Sequence, residues 1–103
     1  RHWILTENFQ PYTGSTCHLL AVSIRHVRHF DMIGPEAQAE LFALFSEELH
    51  NRGVEGGTIF MRFGNTDYTG GTVEHLHAHA VSGVKGKKGD EPLLTMIAYK
   101  KGE

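Results

Sequence analysis

The sequence predicts an α+β domain, with a mainly antiparallel five-stranded sheet and one long helix packed on one face. Three observations carry this expectation. A single segment, "GPEAQAELFALFSEELHNRG", has helical periodicity, short apolar stretches on either side of it read as strands, and the connections between the last three strands are too short for crossover helices. At 103 residues, 40% apolar and 21% charged, the chain has the size and composition of one globular domain spanning residues 1–103.

The elements follow in order. "HWILTEN", the turn-rich "FQPYTGS" and "TCHLLAVS" form a hairpin-like start. "IRHVRHFDMI" mixes bases with apolar residues without a clean period and reads as a loop or a short helical turn. The helix has Pro35 at its first position, Glu36 in its first turn and Gly53 just past its end. Within it Leu41, Phe42, Phe45 and Leu49 recur at helical spacing and are expected to face the sheet. "GTIFMRF" is then a strand, "GNTDYTGG" a loop, "TVEHLHAHAVS" a strand, "GVKGKKGDE" a flexible loop and "PLLTMIAYK" the last strand. No internal repeat divides the chain.

Charge and cysteine content narrow the function classes. A net charge of -2 offers no broad basic field, although Lys85, Lys87 and Lys88 cluster locally, so neither nucleic acid nor an anionic membrane is an expected partner. Cys17 is the only cysteine, which leaves no internal disulfide and no thiolate zinc cage. The apolar runs fall short of the roughly 20 residues that span a bilayer, and "RHWILTENF" lacks a signal peptide's apolar core, so a cytoplasmic protein is expected. Because the chain opens at Arg1 rather than Met, residues preceding it are also expected.

The chemistry concentrates in "GGTVEHLHAHAVSG", where His75, His77 and His79 alternate with Leu76, Ala78 and Ala80. On a strand this puts the imidazoles on one face and the apolar residues on the other, with same-face neighbours about 6.6 Å apart. A charged imidazole disfavours charge on its neighbour, so such a cluster keeps at least one ring neutral near physiological pH. A neutral ring is a nucleophile, a base or a metal ligand. Three readings stand at this point: histidines coating an exposed strand, a zinc site with an open position for water, and nucleophilic catalysis at phosphorus.

"HLHAHAV", His75 to Val81, resembles the His-φ-His-φ-His-φ-φ signature of the histidine triad superfamily of nucleotide hydrolases and transferases. "CHLLAVSIRHV" is similar to that family's earlier strand, which opens with a fourth histidine, and "FGNTDYTGGTVEH" is similar to the loop entering the triad. Together with the helix between them, these cover most of residues 17–83.

The resemblance implies His77 as the nucleophile that forms a nucleotidyl-histidine intermediate, and His79 as a hydrogen-bond partner of the transferring phosphate. His75 and His18 would fix the nucleophile's orientation and tautomer. Asn65 would contact the phosphate region, Gly71 and Thr72 the leaving group, and Asn8 the ribose. The implied reaction is hydrolysis of a nucleotidyl phosphoramidate or phosphoanhydride, such as a dinucleoside polyphosphate, releasing a nucleoside monophosphate. The implied partners are a nucleotide substrate and a second copy in a homodimer, with no cofactor and no catalytic metal. Two features differ from branches of that family: the stretch from the double glycine to His75 is one residue shorter than in the phosphoramidase branch, and His79 stands where the transferase branch has glutamine, which points toward hydrolysis. A metal-dependent hydrolase using the same histidines and a nucleotide-binding regulatory module are the alternatives.

Overall fold

A computed structural model describes residues 1–102. Its elements are β1 (Trp3–Glu7), β2 (Cys17–Ser23), α1 (Pro35–Asn51), β3 (Thr58–Met61) and β4 (His77–Ser82), with 3₁₀ turns at Phe30–Met32 and Thr66–Tyr68. The strands form one antiparallel sheet in the order β1-β2-β4-β3, so the histidine strand is interior and β3 is an edge. Among the described residues no helix is long and apolar enough to cross a membrane.

The α+β class holds, but among the described residues the sheet has four strands rather than five. Residues 92–100 do not form the expected last strand. Their alternation is real, since Leu93, Thr95 and Ile97 line one cavity together with Tyr12 and Phe60. The segment's side chains meet Tyr12, Thr58 and Phe60, its Thr95 and Met96 meet Arg62, and its backbone joins no ladder. The histidine strand is also shorter than expected and starts at His77. After Ser23 the end of β2 turns away: the Ser23 amide still donates to the Leu76 carbonyl, but the Leu76 amide donates to the Val27 carbonyl.

Helix α1 begins after Gly34 with Pro35 in its first turn, where a missing N–H is no loss. It ends in a Schellman motif, with the amides of Gly53 and Val54 donating to the carbonyls of His50 and Leu49 at 3.0 Å each. Gly53 takes φ +67°, a conformation a side chain resists.

Ala37, Leu41 and Phe45 are the helix's buried stripe and meet Trp3, Leu19, Ala21, Leu76, Ala78 and Ala80 from the sheet, with Leu49 packed alongside. Phe42 departs from expectation and is 62% exposed. One residue beyond Leu41, it is rotated about 100° round the helix and reaches only the rim, beside Phe30 and Ile59. The small side chains of Ala78 and Ala80 leave room for Phe45, while the opposite face of the same strand carries His77 and His79. The helix therefore seals one side of the histidine strand and leaves the other for chemistry.

Candidate active site

The histidine face is built from alternate residues of three adjacent strands. The pairing of Leu20 with His79 and of Phe60 with His79 sets His79 in the middle of the sheet. His18, His77, His79 and Phe60 fall on the same side by strand parity. The Phe60 ring stacks on His79 with centroids 4.5 Å apart and planes 5° from parallel. Tyr12, in the loop between β1 and β2, closes over the group at 4.4 Å from His18 and 6.0 Å from His79.

Hydrogen bonds fix the tautomers. His77 Nδ1 lies 2.8 Å from the His75 carbonyl oxygen, which only accepts, so Nδ1 carries the proton, and in the neutral tautomer Nε2 has the lone pair. His75 therefore orients His77 through its backbone. Its own ring donates from Nε2 to the Ser23 carbonyl at 2.5 Å and packs against His26 at 4.1 Å.

A second chain of bonds runs through His18 and His79. The Tyr12 backbone amide donates to His18 Nδ1 at 3.1 Å, which places the proton of a neutral ring on Nε2. That nitrogen lies 2.9 Å from His79 Nδ1 and donates to it, leaving His79 protonated at Nε2. His79 Nε2 is buried and has no partner among the described residues, so its N–H is a donor awaiting an acceptor. His18 thus orients His79 and has no bond to His77. The Asn8 amide nitrogen, 3.3 Å from His18 Nε2, faces another donor and adds no hydrogen bond there.

Electrostatics agree with this assignment. Burial, then the neighbouring His77, His18 and Arg62, push the His79 pKa down to about 3. Burial also lowers His18. Both rings bind fewer protons in the folded than in the unfolded chain, where their ordinary value is 6.5, so stability is full above that value and falls as the pH drops below it. The slope reaches at most about 1.4 kcal/mol per pH unit for each such group. We expect a lower urea midpoint at pH 5 than at pH 7.5, a window above the carboxylate range, and a smaller difference in His79→Gln. Equal midpoints in the wild type would contradict neutral burial of the pair.

The remaining positions are more dispersed. Asn8 follows β1 beside His18, with Oδ1 accepting from the Gln10 amide at 2.9 Å. Asn65 caps the Thr66–Tyr68 turn, its Oδ1 accepting from the Asp67 amide at 2.9 Å. Thr72 is exposed. The Gly71 amide donates to Thr69 Oγ1 at 3.0 Å, and a side chain at Gly71 would meet Arg62 Cδ at 3.2 Å. Gly71 thus clears space for Arg62.

Sequence reasoning missed Phe60 and Arg62 and gave Tyr12 no site role. The signal for the first two was the alternation in "TIFMRF", but it becomes informative only once the register against β4 is known. Beside the histidines, Tyr12, Thr58, Phe60, Leu93, Thr95 and Ile97 line a cavity of about 300 Å³. A larger polar cleft of about 770 Å³ lies away from them, between the end of α1 and the Cys17–Ser82 end of the sheet.

No known family model matches the sequence, and no curated protein does. Solved structures do resemble the fold. A "Hit Like Protein" superposes with a TM-score of 0.66 at 23% identity, over 82% of this chain and 80% of its own. A histidine triad protein from Clostridium difficile superposes with a TM-score of 0.65 at 18% identity, over 86% of this chain and 78% of its own. With its single helix, antiparallel sheet and interior histidine strand, the chain has the fold of the histidine triad proteins.

Proposed function

We propose that the chain hydrolyses a nucleotidyl phosphoanhydride or phosphoramidate through a covalent intermediate on His77. The observation that carries this reading is the His77 Nδ1 bond to the His75 carbonyl, which in the neutral ring puts the lone pair on Nε2, the nitrogen that can act as nucleophile. In the first step His77 Nε2 bonds to the α-phosphorus, and the bond from phosphorus to the leaving group breaks, its electron pair departing with that group, which takes a proton from solvent where it leaves as an amine. Water then attacks the phosphorus and gives up a proton to solvent, the N–P bond breaks with its electrons returning to His77, and a nucleoside monophosphate is released. His79 Nε2–H is a preorganised donor for a phosphoryl oxygen, and the neutral state of that ring spares a proton equilibrium at pH 7.

Asn8 is assigned to the ribose, Asn65 to the phosphate region, and Gly71 and Thr72 to the leaving-group side. The protein is proposed to act in the cytoplasm as a homodimer. The second copy would cover the free outer edge of β3 and the adjoining exposed Phe42 and Ile59.

The test incubates the protein with adenosine 5'-phosphoramidate and with diadenosine tetraphosphate, with and without a chelator, and follows intact mass on a quenched timescale. AMP release that survives chelation, with a transient adenylyl adduct on the chain, is the expected result. Activity that requires added metal, or turnover with no adduct under single-turnover conditions, sinks the covalent mechanism.

A further inference from the structure

The geometry points to Arg62 as a phosphate-binding residue that selects substrates whose leaving group carries a phosphate. This inference rests on the nucleotidyl-transfer reading of His77. Strand β3 pairs with β4 from Thr58 opposite Val81 to Met61 opposite Ala78. One residue further, the same register sets Arg62 opposite His77. Parity gives Arg62 the face of Thr58 and Phe60, which is the histidine face. Neighbouring strands lie about 4.8 Å apart, so the long arginine side chain starts beside the proposed nucleophile.

The guanidinium lies over the Phe60 ring, 5.2 Å from its centroid, and Phe60 in turn stacks on His79. Its charge reaches His79, where it contributes to lowering that ring's pKa. Gly71 gives the arginine stem its passage, since a Cβ there would crowd Arg62 Cδ.

What the guanidinium now binds is weak ligand chemistry for a cation. Nε donates to the Met96 carbonyl at 3.1 Å, and Nη2 donates to Thr95 Oγ1 at 3.1 Å and to the same carbonyl. These partners are neutral and belong to the 92–100 segment, which pairs with no strand. A phosphate offers paired anionic oxygens to the same fork, and charge-assisted bonds of that kind are about twice as strong as neutral ones. When the P–O bond of a phosphoanhydride breaks, its electron pair stays on an oxygen of the departing phosphate, and Arg62 receives that charge. The nitrogen group of a simple phosphoramidate takes a proton from solvent, departs as a neutral amine and gives Arg62 no such anion.

The experiment compares wild type, Arg62→Gln and Arg62→Lys on diadenosine tetraphosphate and on adenosine 5'-phosphoramidate, with circular dichroism confirming the fold. Arg62→Gln is expected to lower kcat/KM for the tetraphosphate at least tenfold more than for the phosphoramidate, with Arg62→Lys in between. Equal losses on both substrates, or no loss on either, overturn the inference while leaving His77 chemistry intact. If the wild type turns over neither compound, the catalytic reading fails, and calorimetry with ATP and AMP decides the role of Arg62 by itself. The inference survives there if Arg62→Gln lowers the ATP-to-AMP affinity ratio tenfold or more, and it falls if that ratio is unchanged or neither nucleotide binds.

Discussion

His77→Ala is expected to lower kcat/KM by about 10⁴-fold or more and to abolish the adenylyl adduct, because covalent catalysis has no fallback when the attacking nitrogen is gone. The fold should survive the change. The His77 side chain is only partly buried and makes its tautomer-fixing bond to a neighbouring carbonyl rather than to another element. His75→Ala, which keeps that carbonyl, should cost much less activity than His77→Ala, since the ring of His75 bonds to Ser23 and not to His77. A parallel assay of both variants, with thermal melts to confirm folding, reads the contrast. An alanine at 77 that keeps activity within tenfold of wild type would falsify the nucleophile assignment.

The largest stability effect is expected at Trp3. Its side chain is fully buried against α1, and its indole N–H donates to the Ala37 carbonyl at 2.6 Å. The Trp3 amide also donates to Glu40 at 3.1 Å, so the first residue of β1 is tied to the helix by backbone and side chain together. Trp3→Ala removes the largest block of the core and should cost about 3–5 kcal/mol, a large share of the roughly 5–15 kcal/mol that holds a typical domain folded. Trp3→Phe keeps most of the apolar burial, loses the indole bond, and should cost about 1–2 kcal/mol. Because Trp3 is the only tryptophan, the urea curves must be followed by circular dichroism rather than fluorescence. A cost below 1 kcal/mol for the alanine variant would mean that β1 contributes little to the core.

The two predictions differ in how readable their residues were. The triad strand announced itself, because period-two alternation of histidine with small apolar residues has one structural meaning. Helix α1 was equally plain: Pro35 at its start and Gly53 past its end bracket it as expected. The segment from Pro92 was not legible. Its alternation fits an edge strand and an unpaired segment equally well, and only its side-chain contacts with Arg62, Tyr12 and Phe60 in three dimensions decide between them. The resemblance implied that His75 orients His77, but not that its carbonyl rather than its ring does so. Spacing showed three equivalent imidazoles, whereas the turn of the chain after Ser23 makes the first one matter through its carbonyl. Phe42 was assigned to the core because periodicity alone does not say how wide the helix's buried stripe is.

The bonds from Tyr12 through His18 to His79 also have a direction. Each imidazole can reverse its own polarity by moving its proton to the other nitrogen, but a peptide amide cannot, so the orientation of the whole series is set at Tyr12. If that loop swung away, nothing would keep His18 from turning its lone pair toward His79. His79 would then present a lone pair where the proposed reaction needs a donor to a phosphoryl oxygen, and attraction would become repulsion. In that proposed reaction the loop between β1 and β2 is a polarity key: a backbone group that need not touch substrate sets whether His79 offers a donor or an acceptor.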